Sequence, residues 1–284
     1  MSIRSIISEI LNTKVPKSLF HYTSSVGLMG IIKSNKIWTT KIHYLNDKSE
    51  VQLAFKHIRN EIDSQKNGDE KTRSDEELDT MIEILDSVEG INVSVASFTE
   101  MGDQLSQWRG YCEIGDGYSI GFKGQKLMGH VDKSENYRLV PCVYDEKKHL
   151  EIVRELVNSA PVIDITNHPN YGKPPFYNMP FGDAALFLAP IIKSESFKEE
   201  KEWRLISLAL SYETANFRKG NFSLIPYWEF DLDLERTFKS IIIGPTPEED
   251  LAERALQGFL LNVYFDNVPL WTDIKHSKIP FRKI

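Results

Sequence analysis

Apolar positions along this chain repeat with two different periods, and each change of period marks the border of an element. Ile3, Ile6, Ile7, Ile10 and Leu11 recur at helical spacing and predict an amphipathic helix over residues 2–12. Val15-Pro16-Lys17 breaks it, and Leu19 to Tyr22 reads as a short strand. Ser24 or Ser25 then caps a helix whose apolar positions are Val26, Leu28, Met29, Ile31 and Ile32. A second strand is expected over 36–40, a turn at Asn46-Asp47, and a helix over 49–62. Residues 63–76 are almost entirely polar and read as a solvated loop, followed by a helix marked by Leu78, Met81, Ile82 and Leu85.

At Ile91 the period drops to two. Residues 91–99 alternate and are rich in β-formers, so they predict a strand. A short helical segment over 104–112, strands over 117–122 and 137–144, and a helix over 147–158 follow. Residues 159–183 hold Pro161, Pro169, Pro174, Pro175 and Pro180 and read as a long irregular loop. The last third predicts an apolar helix over 184–192, strands over 202–208, 227–232 and 241–243, and a helix opened by Thr246 as N-cap with Pro247 and Glu249 behind it. Strands and helices mix without strict βαβ alternation, which points to an α+β fold with a mixed or antiparallel central sheet flanked by helices. A single domain over 1–284 is expected, with a helical insertion at about 49–88.

Composition narrows the classes. Of 284 residues, 34 are basic and 41 acidic, for a net charge of -7, so bulk charge argues against sequence-independent nucleic-acid binding. Two cysteines, Cys112 and Cys142, cannot build a disulfide framework and fit a reducing cytoplasm. No apolar run reaches the roughly 20 residues a membrane helix needs.

Four groups of residues could carry chemistry. His21-Tyr22-Thr23 stands at a strand end before a capped helix, where the histidine can donate to a ribose hydroxyl and Thr23 can add a second bond. A structural histidine beside a core tyrosine fits the same residues. Glu200 and Glu202, two apart at the start of an apolar run, would leave one face of a strand. Such carboxylates can hold a sugar hydroxyl and stabilise an oxocarbenium-like cation, or Glu202 can simply pair with Arg204. Ser97 and Thr99, with Gln104, Trp108, Arg109 and Tyr111, could line a nucleoside pocket or form a core stripe. Arg218 and Lys219, with Tyr227 and Trp228, could contact a phosphate and stack a base. Gly-x-Gly-x-x-Gly, P-loop, His-Glu-x-x-His and nucleophile-elbow motifs are absent. Glu199-x-Lys201 matches the tail of a metal-dependent nuclease signature.

Taken in order, several of these markers resemble an uncharacterised bacterial family, domain-of-unknown-function family 2971. The resemblance runs from Leu19-Phe20-His21-Tyr22-Thr23-Ser24, through Asn46-Asp47 with Glu50, Ser97-Phe98-Thr99, Trp108 and residues 117–122. It continues at Phe197-Lys198, Glu202-Trp203-Arg204, Ile243-Gly244-Pro245 and Ile279-Pro280-Phe281-Arg282. More distantly, a His-Tyr-Thr strand followed by a helix and a second strand is similar to the opening of ADP-ribosyltransferase-like domains, which have a split-sheet core. That resemblance implies NAD as substrate, His21 as the ribose-binding histidine and Glu202 as the catalytic glutamate. It also sets Ser97-Phe98-Thr99 and Glu200-x-Glu202 beside the Ser-Thr-Ser and Glu-x-Glu of the arginine-directed branch, although that branch has arginine where this chain has His21. Tyr22, Trp108, Tyr111 and Tyr118 compete for the aromatic that stacks nicotinamide.

The resulting expectation is a cytoplasmic enzyme that cleaves the nicotinamide–ribose bond of NAD and passes ADP-ribose to a protein or nucleic-acid acceptor, in a toxin or phage-defence setting and without a membrane. Glu202 and Glu200 would be catalytic, and His21, Tyr22, Thr23, Ser97, Thr99, Trp108 and Arg218 would hold the dinucleotide. Two rivals are a metal-dependent nuclease using Glu199 and Lys201, and a non-enzymatic binding or sensor module in which His21 and Glu202 only hold the structure.

Overall fold

A strand at the middle of the molecule receives a neighbour along one edge and two diverging neighbours along the other. The computed structural model describes residues 2–45, 49–68, 71–88, 90–113, 115–163, 179–220, 222–264 and 273–281. The central strand is β3 (Ser94–Thr99). One edge pairs antiparallel with β6 (Glu202–Ser207), from Val95 opposite Ile206 to Thr99 opposite Glu202, and β6 carries β5 (Tyr137–Pro141) beyond it. On the other edge β1 (Ser18–Thr23) meets β3 at Phe20 opposite Thr99, while β2 (Lys36–Lys41) meets it at Thr40 opposite Val95 and Lys41 opposite Ser94. Between those two registers Ala96, Ser97 and Phe98 face neither strand. The sheet is split there.

Each branch then grows outward. β1 leads to β4 (Tyr118–Lys123), β9 (Phe238–Ile243) and the parallel β10 (Ile274–His276). β2 leads to β8 (Leu224–Asp231) and β7 (Asn216–Lys219). The connection between β1 and β2 is α2 (Ser25–Ser34), capped by the Ser24 hydroxyl and ended by Asn35 in the left-handed conformation. A ten-residue helix is about 15 Å long, and docking Leu28, Ile31 and Ile32 into the core holds the two strands apart.

Register decides which side chains share a face, because neighbours along a strand point to opposite sides. Trp38 and Thr40, Val95, Ser97 and Thr99, and Glu202 and Arg204 lie on one face, with Tyr227 and Arg218 of the outer hairpin. Leu19, Ile37, Ala96, Phe98, Trp203 and Leu205 lie on the other, where they pack with α2, α6 (Gly124–Val131), α9 (Leu234–Thr237) and α10 (Glu249–Val263). The larger core covers the first face at the Val95 and Ile206 end. There α1 (Ile3–Leu11), α3 (Ser49–Asn67), α4 (Asp75–Val88), α7 (Glu146–Ser159) and α8 (Phe181–Leu188) bury Ile6, Ile58, Met81, Leu156 and Phe181.

The α+β architecture with a mixed, helix-flanked sheet agrees with the periodicity, and several borders move. α3 runs on to Asn67 through residues expected to be loop, because Gln65 is buried and its amide donates to Asn158 Oδ1 at 2.7 Å. α6, β7 and β10 carry too little alternation to be seen in the sequence. Thr246 is not the cap of α10, which begins at Glu249; the Thr246 hydroxyl accepts from the Glu248 N–H at 3.4 Å instead. The expected turn at Asn46-Asp47 and most of the Pro-rich stretch, 164–178, lie outside the described residues. Among the described residues no helix is long and apolar enough to cross a membrane.

Candidate active site

The split opens into a cavity of about 660 Å³ whose lining draws on both faces of the sheet. β1 contributes residues 20–23, β2 Trp38 and Thr40, β3 residues 95–99, α2 Gly27 and Gly30, α5 (Leu105–Tyr111) Gln107 and Tyr111, and the far wall Lys193, Glu200, Glu202 and Arg204.

His21 sits at the split itself. Its Nδ1 lies 2.9 Å from the Ser97 carbonyl, the backbone acceptor that the parted strands leave available. A carbonyl only accepts, so Nδ1 carries the proton and the neutral ring presents the Nε2 lone pair. Burial lowers the pKa of His21, and the Ser97 bond opposes that only in part. The free Nε2 of His21 is thus an acceptor, the reverse of the donor role expected from sequence. Thr23 lines the same wall, seated so close to Gly27 that a Cβ there would meet its Oγ1 at 1.9 Å.

Tyr22 points the other way. Its hydroxyl donates to the Met101 carbonyl at 2.8 Å and accepts from the Gln104 N–H at 3.0 Å, and its ring packs edge-on against Trp108 at 4.5 Å. Trp108 is buried, donates its indole N–H to Asp103 Oδ1 at 2.8 Å, and does not line the cavity. These two aromatics brace the wall; neither side chain is placed to stack a ligand. Thr99 is likewise a brace: its hydroxyl donates to the Glu200 carbonyl at 2.6 Å and accepts from the Met101 N–H at 3.0 Å. Ser97 contributes its carbonyl through His21 and lines the cavity.

The two carboxylates converge, though not through a strand pleat. Glu200 ends a 3-10 turn over Glu195–Glu200, Lys201 takes a left-handed φ of 43°, and β6 begins only at Glu202. Both side chains reach Lys193, whose Nζ lies 2.6 Å from Glu200 Oε2 and 2.6 Å from Glu202 Oε2. Glu202 also accepts from Arg204 Nε at 2.7 Å and Nη2 at 3.0 Å, and is 3% exposed, against 16% for the Glu200 side chain. Burial alone would raise the pKa of Glu202, but Arg204 and Lys193 override it and hold it at about 2. Glu202 is thus a sealed, ionised strut, and Glu200 is the more open carboxylate. Tyr111 borders this cluster, its hydroxyl pKa pushed up first by burial and then by the Glu202 charge. Gln107 is buried on the same wall, and its side-chain amide makes no hydrogen bond among the described residues.

At the opposite end Arg218 donates from Nη2 to the Thr40 hydroxyl at 3.2 Å, which holds its guanidinium over the floor. Trp228, a stacking candidate in the sequence, is buried and donates to the Ser211 carbonyl and the Thr214 hydroxyl. Trp38 lies there instead, 43% exposed and packed on Tyr227 with ring centroids 4.3 Å apart. Glu199 and Lys201 are exposed and outside the cavity lining, and no three His, Cys, Asp or Glu side chains among the described residues could hold a metal ion together. Lys193 and Trp38 went unnoticed in the sequence. The signal for Lys193 was a lone cation closing the apolar run 184–192; Trp38 gave none beyond a strand position.

A family model described as "Protein of unknown function (DUF2971)" matches residues 107–205. The matched part runs from within α5 through β4 and β5 into β6 and holds Tyr111, Lys193, Glu200 and Glu202; β1 with His21 lies before it. No curated protein and no solved structure matches the chain.

Proposed function

We propose that the cleft binds NAD and cleaves its nicotinamide–ribose bond, passing ADP-ribose to a macromolecular acceptor, as in the ADP-ribosyltransferase-like domains that the His21 and Glu202 motifs resemble. The observation that carries this reading is the parting of β1 and β2 on β3, which sets a neutral histidine acceptor and an ionised carboxylate cluster along one cavity. A cavity of about 660 Å³ is in the range that holds a cofactor-sized molecule.

In this reading nicotinamide leaves with the electron pair of its bond to ribose C1′, and positive charge builds on the ribose. An acceptor nucleophile then bonds to C1′ and releases its proton. Glu200 is the carboxylate assigned to that charge, because a fixed anion facing a developing cation lowers the barrier. Glu202 acts through Lys193, holding the cluster in place. His21 Nε2 accepts from a ribose hydroxyl, and the Gln107 amide offers the donor and acceptor pair that a carboxamide needs.

The test is nicotinamide release from NAD by purified protein, without divalent metal and with cell lysate supplying acceptors. Wild type should release nicotinamide, and Glu200→Gln should lower the rate by about two orders of magnitude with its melting temperature kept. No release from folded wild type overturns the reading. One observation favours a non-enzymatic binding module: Glu202 is already saturated by Lys193 and Arg204. NAD binding without turnover would select it.

A further inference from the structure

The cavity has two chemically different ends, and Trp38 defines one of them. Its indole is exposed although it sits mid-strand between buried Ile37 and Thr39, and it lines the cavity rather than open surface. Tyr227 backs it at 4.3 Å with the rings 30° apart, so the indole is stiffened from behind. Arg218 stands on the same face, tied to Thr40, and forms no ion pair among the described residues. A stiff indole face beside a cation is the pattern that takes a planar heterocycle carrying a phosphate.

Position says which heterocycle. Trp38 lies where β2 has already parted from β3, so it is at least two strand spacings from Glu202 and offset by two residues along the strands, no less than about 12 Å in all. A single ribose cannot bridge that distance. The group stacked on Trp38 therefore belongs to the half of a dinucleotide remote from the carboxylates.

We infer that Trp38, backed by Tyr227 and flanked by Arg218, is the stacking platform for the purine base of a 5′-phosphorylated nucleotide. This rests on reading the cleft as a dinucleotide site, but it needs no turnover, so it is tested by binding alone. AMP is the probe, ribose 5-phosphate the baseless control, and calorimetry the readout.

Wild type should bind AMP and bind ribose 5-phosphate at least tenfold more weakly. Trp38→Leu should weaken AMP by about 10- to 100-fold and leave ribose 5-phosphate unchanged, whereas Trp38→Phe, which keeps a ring, should bind AMP nearly as wild type does. Arg218→Gln should weaken both ligands. Undiminished AMP binding by folded Trp38→Leu overturns the inference, as does equal affinity of wild type for the two probes or no AMP binding at all. AMP binding through Trp38 in a protein that never releases nicotinamide would keep this inference and remove the NAD-cleavage reading.

Discussion

His21 has its tautomer decided by a single bond. Because the Ser97 carbonyl takes Nδ1–H, the ligand-facing nitrogen is an acceptor only while the ring is neutral. Burial holds the pKa of His21 below that of an ordinary histidine, so the neutral form prevails at pH 7 and protonation requires acid. NAD, whose pyrophosphate stays ionised throughout, should therefore bind equally well from pH 8 to neutrality and more weakly on acidification, and a His21→Ala variant should be weaker and lose that dependence. A titration of affinity from pH 8 to 5 checks it. Glu202 gives the opposite kind of prediction. With a folded pKa of about 2 against 4.5 unfolded, its stabilisation is complete above pH 4.5 and is lost as pH falls towards 2. Glu202→Gln should cost about 3–5 kcal/mol, because buried Arg204 loses the carboxylate it is paired with and Lys193 keeps only its pairing with Glu200. Chemical denaturation at pH 7 measures that cost; a variant as stable as wild type would contradict the strut. The pairing of Glu202 with Arg204 was legible as one reading of the sequence, but the convergence on Lys193 was not, since nine residues and a turn separate it from Glu202.

At the scale of elements, the split depends on how α2 leaves β1. Thr23 and Gly27 approach so closely that a methyl group at Gly27 cannot be placed without turning the Thr23 hydroxyl out of its position on the cavity wall. Gly27→Ala should destabilise the protein by about 1–3 kcal/mol and weaken AMP, where a surface glycine such as Gly129, with nothing near its Cβ position, should tolerate the same change. Comparing the two melting temperatures is the check. Helices and strands with strong periodicity were readable: α1, β1, α2, β2, β3 and α7 stand where the apolar pattern put them. β7 was not readable because all four of its residues are exposed, and β10 because three residues give no period. The 3-10 turn before β6 escaped for a related reason. Period-two reasoning treats Glu200 and Glu202 as one strand, and the left-handed Lys201 that separates them is a backbone event without a glycine to announce it.

At the scale of the molecule, two large cores and a small cluster around Tyr22, Trp108 and Ile242 pack on a ten-stranded sheet, and the cavity lies where β1 and β2 part on β3. No single segment encodes such a place. It arises because β1 and β2 reach β3 at different heights, so residues from 20 to 218 meet there; His21, Thr23, Ser97, Thr99, Tyr111, Glu200, Glu202 and Arg218 are recognisable as candidates in the sequence, whereas Trp38, Gln107 and Lys193 are not. The proposed function divides the labour along this cleft: Trp38 and Arg218 hold the base end, and Glu200 acts at the ribose that loses nicotinamide. The most direct measurement is steady-state nicotinamide release over a range of NAD concentrations for wild type, Glu200→Gln and Trp38→Leu. Glu200→Gln should lower kcat about 100-fold with little change in KM, while Trp38→Leu should raise KM about tenfold or more with kcat nearly kept. Absence of turnover in wild type, or a Glu200→Gln enzyme as fast as wild type, would contradict the proposed function.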